Sequence, residues 1–221
     1  MNTTLARKNL MALTGLFLCL FLVVHLVGNL QLLLPPEKAA VQFNLYSKFM
    51  TSNFFIKVIS YLLYASIVLH AVYALVITVK NRQAAGGGYA YDRRGTASPW
   101  YSRYMGILGT IILLFLVVHM KDFWFEYKFG SLPLDREGNK DLFSIVVESF
   151  GQLWYLGFYI VAFIALGYHL LHGVHSAFKT LGIYPRKLSN FLYYSGIGLT
   201  LILTVGFIVI PIFVFFKYHM P

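Results

Sequence analysis

The chain has 221 residues, 58% of them hydrophobic, 18% aromatic and only 12% charged, with a mean hydropathy of +0.68. A water-soluble domain carries about 25% charged residues, so most of this length is excluded from water and an integral membrane protein is the first reading. The net charge of +10 would suggest nucleic acid in a soluble protein, so its placement along the chain has to be read before its meaning.

In chain order, five segments are apolar enough to cross the hydrocarbon layer as helices, at about 9–34, 54–80, 100–125, 150–178 and 189–216. Arg7 and Lys8 precede the first. That run is too long for a secretory signal and lacks a small-x-small cleavage site, so a retained span is expected. It holds Cys19, the single cysteine, which excludes disulfides within the chain and thiolate-held iron–sulfur centres. Pro35 and Pro36 stop the first span, Pro99 suits the first turn of the third, and Gly182 with Pro185 closes the fourth. Pro211 falls inside the fifth, where neighbouring helices can satisfy the freed carbonyl. Trp100, Trp124 and Trp154 fall at span ends, as an interfacial belt would. The expected fold is all-α: one membrane domain over 1–221, a five-helix bundle.

The charges orient it. Arg7, Lys8, Lys80, Arg82, Arg93, Arg94, Arg103, Lys179, Arg186 and Lys187 share the N-terminal side with Asp92 alone, a net of +9, and the other side nets +1. Basic residues mark the cytoplasmic side, so the N-terminus is expected in the cytoplasm and the 126–149 connection outside. The basic balance is then topology, and no nucleic acid is implied. The cytoplasmic connection at 81–99, with Gly86, Gly87, Gly88, Asp92, Arg93 and Arg94, is either a docking surface for a soluble partner or a loop that holds orientation charges. The polar segments are too short for a catalytic domain of their own, so chemistry belongs within the bilayer or on a partner.

Six of the seven histidines, His25, His70, His119, His169, His172 and His175, fall within the spans. Ionisable side chains in a membrane are costly and face the bundle interior. Counted from the span ends at 1.5 Å per residue, His25 and His119 lie about 24–27 Å from the cytoplasmic side and His70 and His172 about 12–15 Å. That gives two pairs of imidazoles in two layers, separated by on the order of 10 Å. Two neutral imidazoles facing each other are what a low-spin haem b needs, and with both axial positions filled the haem transfers electrons rather than binding substrate. Gly15, Gly28, Gly106, Gly109, Gly157, Gly167 and Gly173 offer a porphyrin room, although small residues also serve helix packing. His169 and His175 lie about 60° to either side of His172 on a helix, so His172 is taken as the ligand. Its neighbours are left to bond a propionate, a quinone or another helix. Arg103 and Lys179 could hold the propionates of the inner haem, or serve orientation alone.

A family resemblance rests on particular stretches. Thr14-Gly15-Leu16-Phe17-Leu18 running to His25 and Leu26-Val27-Gly28-Asn29, then His70-Ala71, Val118-His119, His172-Gly173-Val174 and Phe178-Lys179-Thr180-Leu181-Gly182, resemble the single-chain, five-helix, dihaem cytochrome b anchor of succinate:quinone oxidoreductases (succinate dehydrogenase and fumarate reductase). The resemblance covers essentially the whole chain. It implies an anchor in a bacterial cytoplasmic membrane, bound on its cytoplasmic face to a flavoprotein and an iron–sulfur subunit, with FAD and iron–sulfur clusters on those partners and no dicarboxylate site here. It implies two haem b groups, the inner on His70 and His172 and the outer on His25 and His119. Electrons would pass between the iron–sulfur clusters and a membrane quinone, expected to be menaquinone. Where some members carry an acidic residue near the outer start of the second span, this chain reads Val41-Gln42-Phe43-Asn44-Leu45-Tyr46-Ser47-Lys48, leaving Asn44, Tyr46 or Lys48 as the outer quinone contacts. The alternatives are the anchor of a formate dehydrogenase or hydrogenase, which usually has four spans, and a histidine-relay transporter or proton channel, for which no inverted repeat is found.

Overall fold

The structure, a computed structural model, describes residues 3–85 and 98–220. Most of the glycine- and arginine-bearing connection, including Gly86, Gly87, Gly88, Asp92, Arg93 and Arg94, lies outside the described residues. The described residues are mostly helical, joined by short turns and the 130–141 loop, which holds an isolated antiparallel bridge between Leu134 and Lys140.

Seven helices carry the architecture: α1 (Thr4–Asn29), α2 (Pro36–Ser52), α3 (Phe54–Ala85), α4 (Met105–His119), α5 (Leu142–Phe150), α6 (Leu153–Thr180) and α7 (Ser189–His219). Five helical stretches are long and apolar enough to cross a membrane, namely Thr4–Leu33, Phe54–Ala84, Met105–Phe129, Leu153–Thr180 and Arg186–His219. The expected all-α, five-span architecture is therefore present. The third stretch is α4 carried on through a π-helical turn, Met120–Phe125, and a last α-turn, Glu126–Phe129.

Local chemistry sets the ends. Thr3 caps α1, its hydroxyl accepting from the Ala6 N–H at 3.3 Å. Asn53 separates α2 from α3 and accepts from the N–H groups of Phe55 (2.9 Å) and Ile56 (3.3 Å). At the end of α6, Gly182 takes the left-handed backbone (φ 72°) and Ile183 N–H reaches back to the Phe178 carbonyl at 3.0 Å. This is the turn that stops a helix most cheaply when glycine is available.

The hub is α6, which packs on α1, α4 and α7. Half of its most apolar window is buried, against 6% for α3, so α3 has most of its circumference uncovered by the rest of the described chain. Small residues bring the hub close to its neighbours. A methyl group on Gly167 would stand 2.7 Å from Thr204 Oγ1 of α7, and one on Gly206 of α7 would stand 2.8 Å from a Leu26 methyl of α1. Such close backbone approach is how helices gain dispersion contact where there is no water to expel.

The two ends of the bundle differ. At one end α2, the 130–141 loop, α5 and the tail of α7 meet, with His219 Nε2 2.7 Å from the Val147 carbonyl. Asn44 of α2 is fully buried there. Its amide donates to Asp135 Oδ2 (3.1 Å) and Asp141 Oδ1 (3.0 Å), and its oxygen accepts from the Phe143 N–H (2.9 Å). Lys48 donates to Asn139 Oδ1 at 2.9 Å. Burial raises the Asp135 carboxyl, but the N–H groups of Asn139 and Glu137 and the Asn44 amide outweigh it and hold its pKa below the ordinary carboxylate value. At the opposite end Tyr168 packs on Trp100 and Tyr101, and His175 packs edge-on against Tyr184 and Tyr193.

Candidate cofactor site

Within the bundle the histidines gather at two levels. At the level nearer the α2 end, His25 of α1 and His119 of α4 face each other, ring centres 5.7 Å apart and planes at 89°. Phe21 stacks on His25 (5.2 Å), Phe115 stacks on His119 (5.4 Å), and Phe207 of α7 closes the side of His25 at 5.9 Å. Asn29 donates to the His25 carbonyl at 2.8 Å, with its amide nitrogen 3.5 Å from His25 Nε2. On the other side His119 Nδ1 lies 3.1 Å from the Tyr159 hydroxyl, which is 2.9 Å from the Tyr155 hydroxyl. Tyr155 donates in turn to Asp122 Oδ2 at 3.0 Å.

The second level holds His70 of α3 and His169 of α6, ring centres 6.2 Å apart and planes at 63°. Thr14 Oγ1 donates to the Leu10 carbonyl at 2.8 Å and stands 3.2 Å from His70 Nδ1. Gly15 leaves room for this ring, since a methyl group there would meet His70 Cε1 at 3.2 Å; on Gly109 it would lie 3.8 Å from His169 Cε1. The ring that faces His70 is thus His169, where the sequence reading placed His172. The two differ by about 60° around α6, close enough for either to approach the same space. His172 is half-buried one turn further along. Gly15 to His25 on α1 and Tyr159 to His169 on α6 both span ten residues, so the levels lie about 15 Å apart along the helices. That exceeds the roughly 10 Å expected from span ends; counting from ring to ring along one helix does not depend on where each span is taken to end.

A haem fits these residues on three observations. With metal–nitrogen bonds of about 2 Å on each side, two axial imidazoles hold their ring centres about 6 Å apart, and the observed separations are 5.7 and 6.2 Å. Among the described residues His, Cys, Asp and Glu form no group of three or more that could hold a metal ion. Paired imidazoles suit an iron whose other four positions are filled by a macrocycle. On the second level the buried Nδ1 of His169 has no hydrogen-bond partner among the described residues, as is also true of buried polar atoms of Arg7, Asn9, Gln31, Trp124, His175 and Tyr218 elsewhere in the chain. A buried polar atom without a partner is uncommon enough to mark an unmet ligand. Arg103 is exposed and donates to the Ser98 carbonyl at 3.1 Å, and Lys179 lies over the Tyr184 ring at 5.6 Å. Of the seven glycines, Gly106, Gly157 and Gly173 have open space where a side chain would go, and Gly28 is closed by the Tyr46 ring.

At the α2 end, both amide N–H groups and the oxygen of Asn44 are engaged with the loop and α5, so that residue is part of the fold there. Sequence reasoning passed over Thr14, Tyr155, Tyr159 and Asp122. Two tyrosines one turn apart on α6, and an acid three residues after a span histidine, were the available signals.

Fold and site together define a multi-pass, all-helical membrane protein with two stacked histidine pairs in its interior. Over 167 residues, 74% of this chain and 73% of the relative, the sequence is 29% identical to the succinate dehydrogenase cytochrome b558 subunit of Bacillus subtilis (strain 168). No protein-family model and no solved structure matches the chain.

Proposed function

We propose that the chain is the membrane-anchor cytochrome b subunit of a succinate:quinone oxidoreductase, carrying electrons between iron–sulfur clusters on a cytoplasmic partner and a membrane quinone. The observation that carries this reading is the pair of stacked histidine levels, each with its ring centres at the separation two axial ligands of one iron require. The similarity to a succinate dehydrogenase cytochrome subunit supports it. His25 and His119 hold the outer haem b. His70 holds the inner one, with His172 as its partner by motif and His169 by position. When bound, the two haems supply one-electron transfer with no open coordination site.

The residues of the chain do the rest. Phe21, Phe115 and Phe207 keep water from the outer pair. Thr14 orients His70. Arg7, with a buried guanidinium nitrogen free of partners among the described residues, joins Arg103 and Lys179 as a candidate to neutralise the inner propionates. The basic side of the bundle faces the cytoplasm and docks the flavoprotein and iron–sulfur subunits, which bear the FAD, the clusters and the dicarboxylate site.

The test is co-purification of the tagged chain followed by reduced-minus-oxidised spectroscopy. Two haems b per chain and a co-purifying flavoprotein and iron–sulfur protein are expected, and a folded complex without haem refutes the reading. His25→Ala and His119→Ala should each remove the outer signal only. Comparison of His169→Ala with His172→Ala decides the inner ligand.

A further inference from the structure

The hydrogen bonds beyond His119 have a direction that the chemistry of their end group fixes. Asp122 is a carboxylate with 23% of its side chain exposed, and Lys121 pairs with its Oδ1 at 2.9 Å. An ionised carboxylate only accepts hydrogen bonds, so the single proton of the Tyr155 hydroxyl is given to Asp122 Oδ2. Tyr155 oxygen must then accept from the Tyr159 hydroxyl. With its own proton spent, Tyr159 can only accept from His119, which places the ring proton of His119 on Nδ1 and the lone pair on Nε2. Tyr159 is 1% exposed and Tyr155 4%, so no water competes for these bonds and the order cannot reverse without breaking all three.

We infer that Asp122, Tyr155 and Tyr159 form a directed hydrogen-bond chain that fixes the His119 tautomer and tunes the outer haem by making its imidazole ligand more electron-rich. This rests on the haem reading given above. None of the three touches the iron; they are positioning residues acting through His119. A carboxylate at the far end draws the Nδ1 proton outward, and a more basic ligand favours ferric over ferrous iron, so the intact chain lowers the reduction potential of the outer haem. His70 Nδ1, by contrast, stands 3.2 Å from a threonine hydroxyl whose proton is committed to a backbone carbonyl.

Tyr159→Phe keeps the ring and removes the hydroxyl, and Asp122→Asn removes the charge at the end of the chain while keeping a side-chain oxygen that can accept from Tyr155. Redox titration of the two haems in the purified complex is the measurement. Each variant is expected to raise the outer haem's potential, by a tenfold change in its ferric-to-ferrous ratio or about 59 mV for one electron, and to leave the inner haem unmoved. Full haem content with an unchanged outer potential in Asp122→Asn, whose change lies away from the packed core, overturns the inference even if Tyr159→Phe fails to fold. Wild-type complex without haem refutes the underlying reading instead.

Discussion

Replacing Asn44 by alanine should release the loop that covers the α2 end of the bundle. The wild-type amide ties two carboxylates, Asp135 and Asp141, and a buried N–H, that of Phe143, at 2.9 to 3.1 Å. Both carboxylates keep other donors, Asp135 from Glu137 and Asn139 N–H and Asp141 from Ser144 N–H and hydroxyl, so each lost bond costs only about 1 kcal/mol. The orphaned Phe143 N–H costs about 1 to 3 kcal/mol more. A total of about 3 to 5 kcal/mol corresponds to a rise of roughly two to three and a half orders of magnitude in the open population. Arg136 and Lys140 lie in this loop, so trypsin cleavage reports it directly under conditions where opening is fast relative to cutting. Cleavage of Asn44→Ala in detergent or nanodiscs should accelerate by about that factor, and Asn44→Asp, which gathers three carboxylates, should do no better. A variant cut at the wild-type rate would show that the amide is not what holds the loop.

Three further outcomes follow from the geometry. Because folding holds the Asp135 pKa below its ordinary value, its contribution is complete above about pH 4 and is lost as pH falls through the folded value. Hydrogen exchange at the Glu137 and Asn139 amides should therefore accelerate only in acid below that range. Gly167→Ala places a methyl group against Thr204 and should cost about 1 to 3 kcal/mol, read as a lower unfolding temperature, whereas Gly157→Ala, with open space around it, should be neutral or better. Gly15→Val should displace His70 and reduce haem content by one equivalent, leaving the signal assigned to His25 and His119 intact; loss of both equivalents would contradict two separate levels.

The five spans were legible because apolar length alone decides them. The amphipathic α2 and the short α5 lie outside the five expected spans: α2 mixes Glu37, Lys38 and Lys48 with its apolar residues, and α5 is only nine residues long. The pairing of His25 with His119 could be reached from helical depth, since each stands alone on its helix face. The partner of His70 could not, because three histidines share one face of α6 and their choice depends on helix rotation. The chain from Asp122 through two tyrosines depends on a π-helical turn directly after His119, and nothing in residue periodicity announces such a turn.

The scant protein cover on α3 has a consequence for how this sequence can vary. With 6% of its apolar window buried, α3 asks little of residues such as Val68, Val72 and Leu75, all exposed on its surface, beyond being greasy. Exchange among aliphatic types there should be silent, whereas His70 on the same helix is committed to contacts with Thr14 and the His169 ring. In α6 the demand is shared by many positions at once. Two helices of similar length thus carry their constraint in opposite ways, one concentrated in a single side chain and the other spread along a whole face.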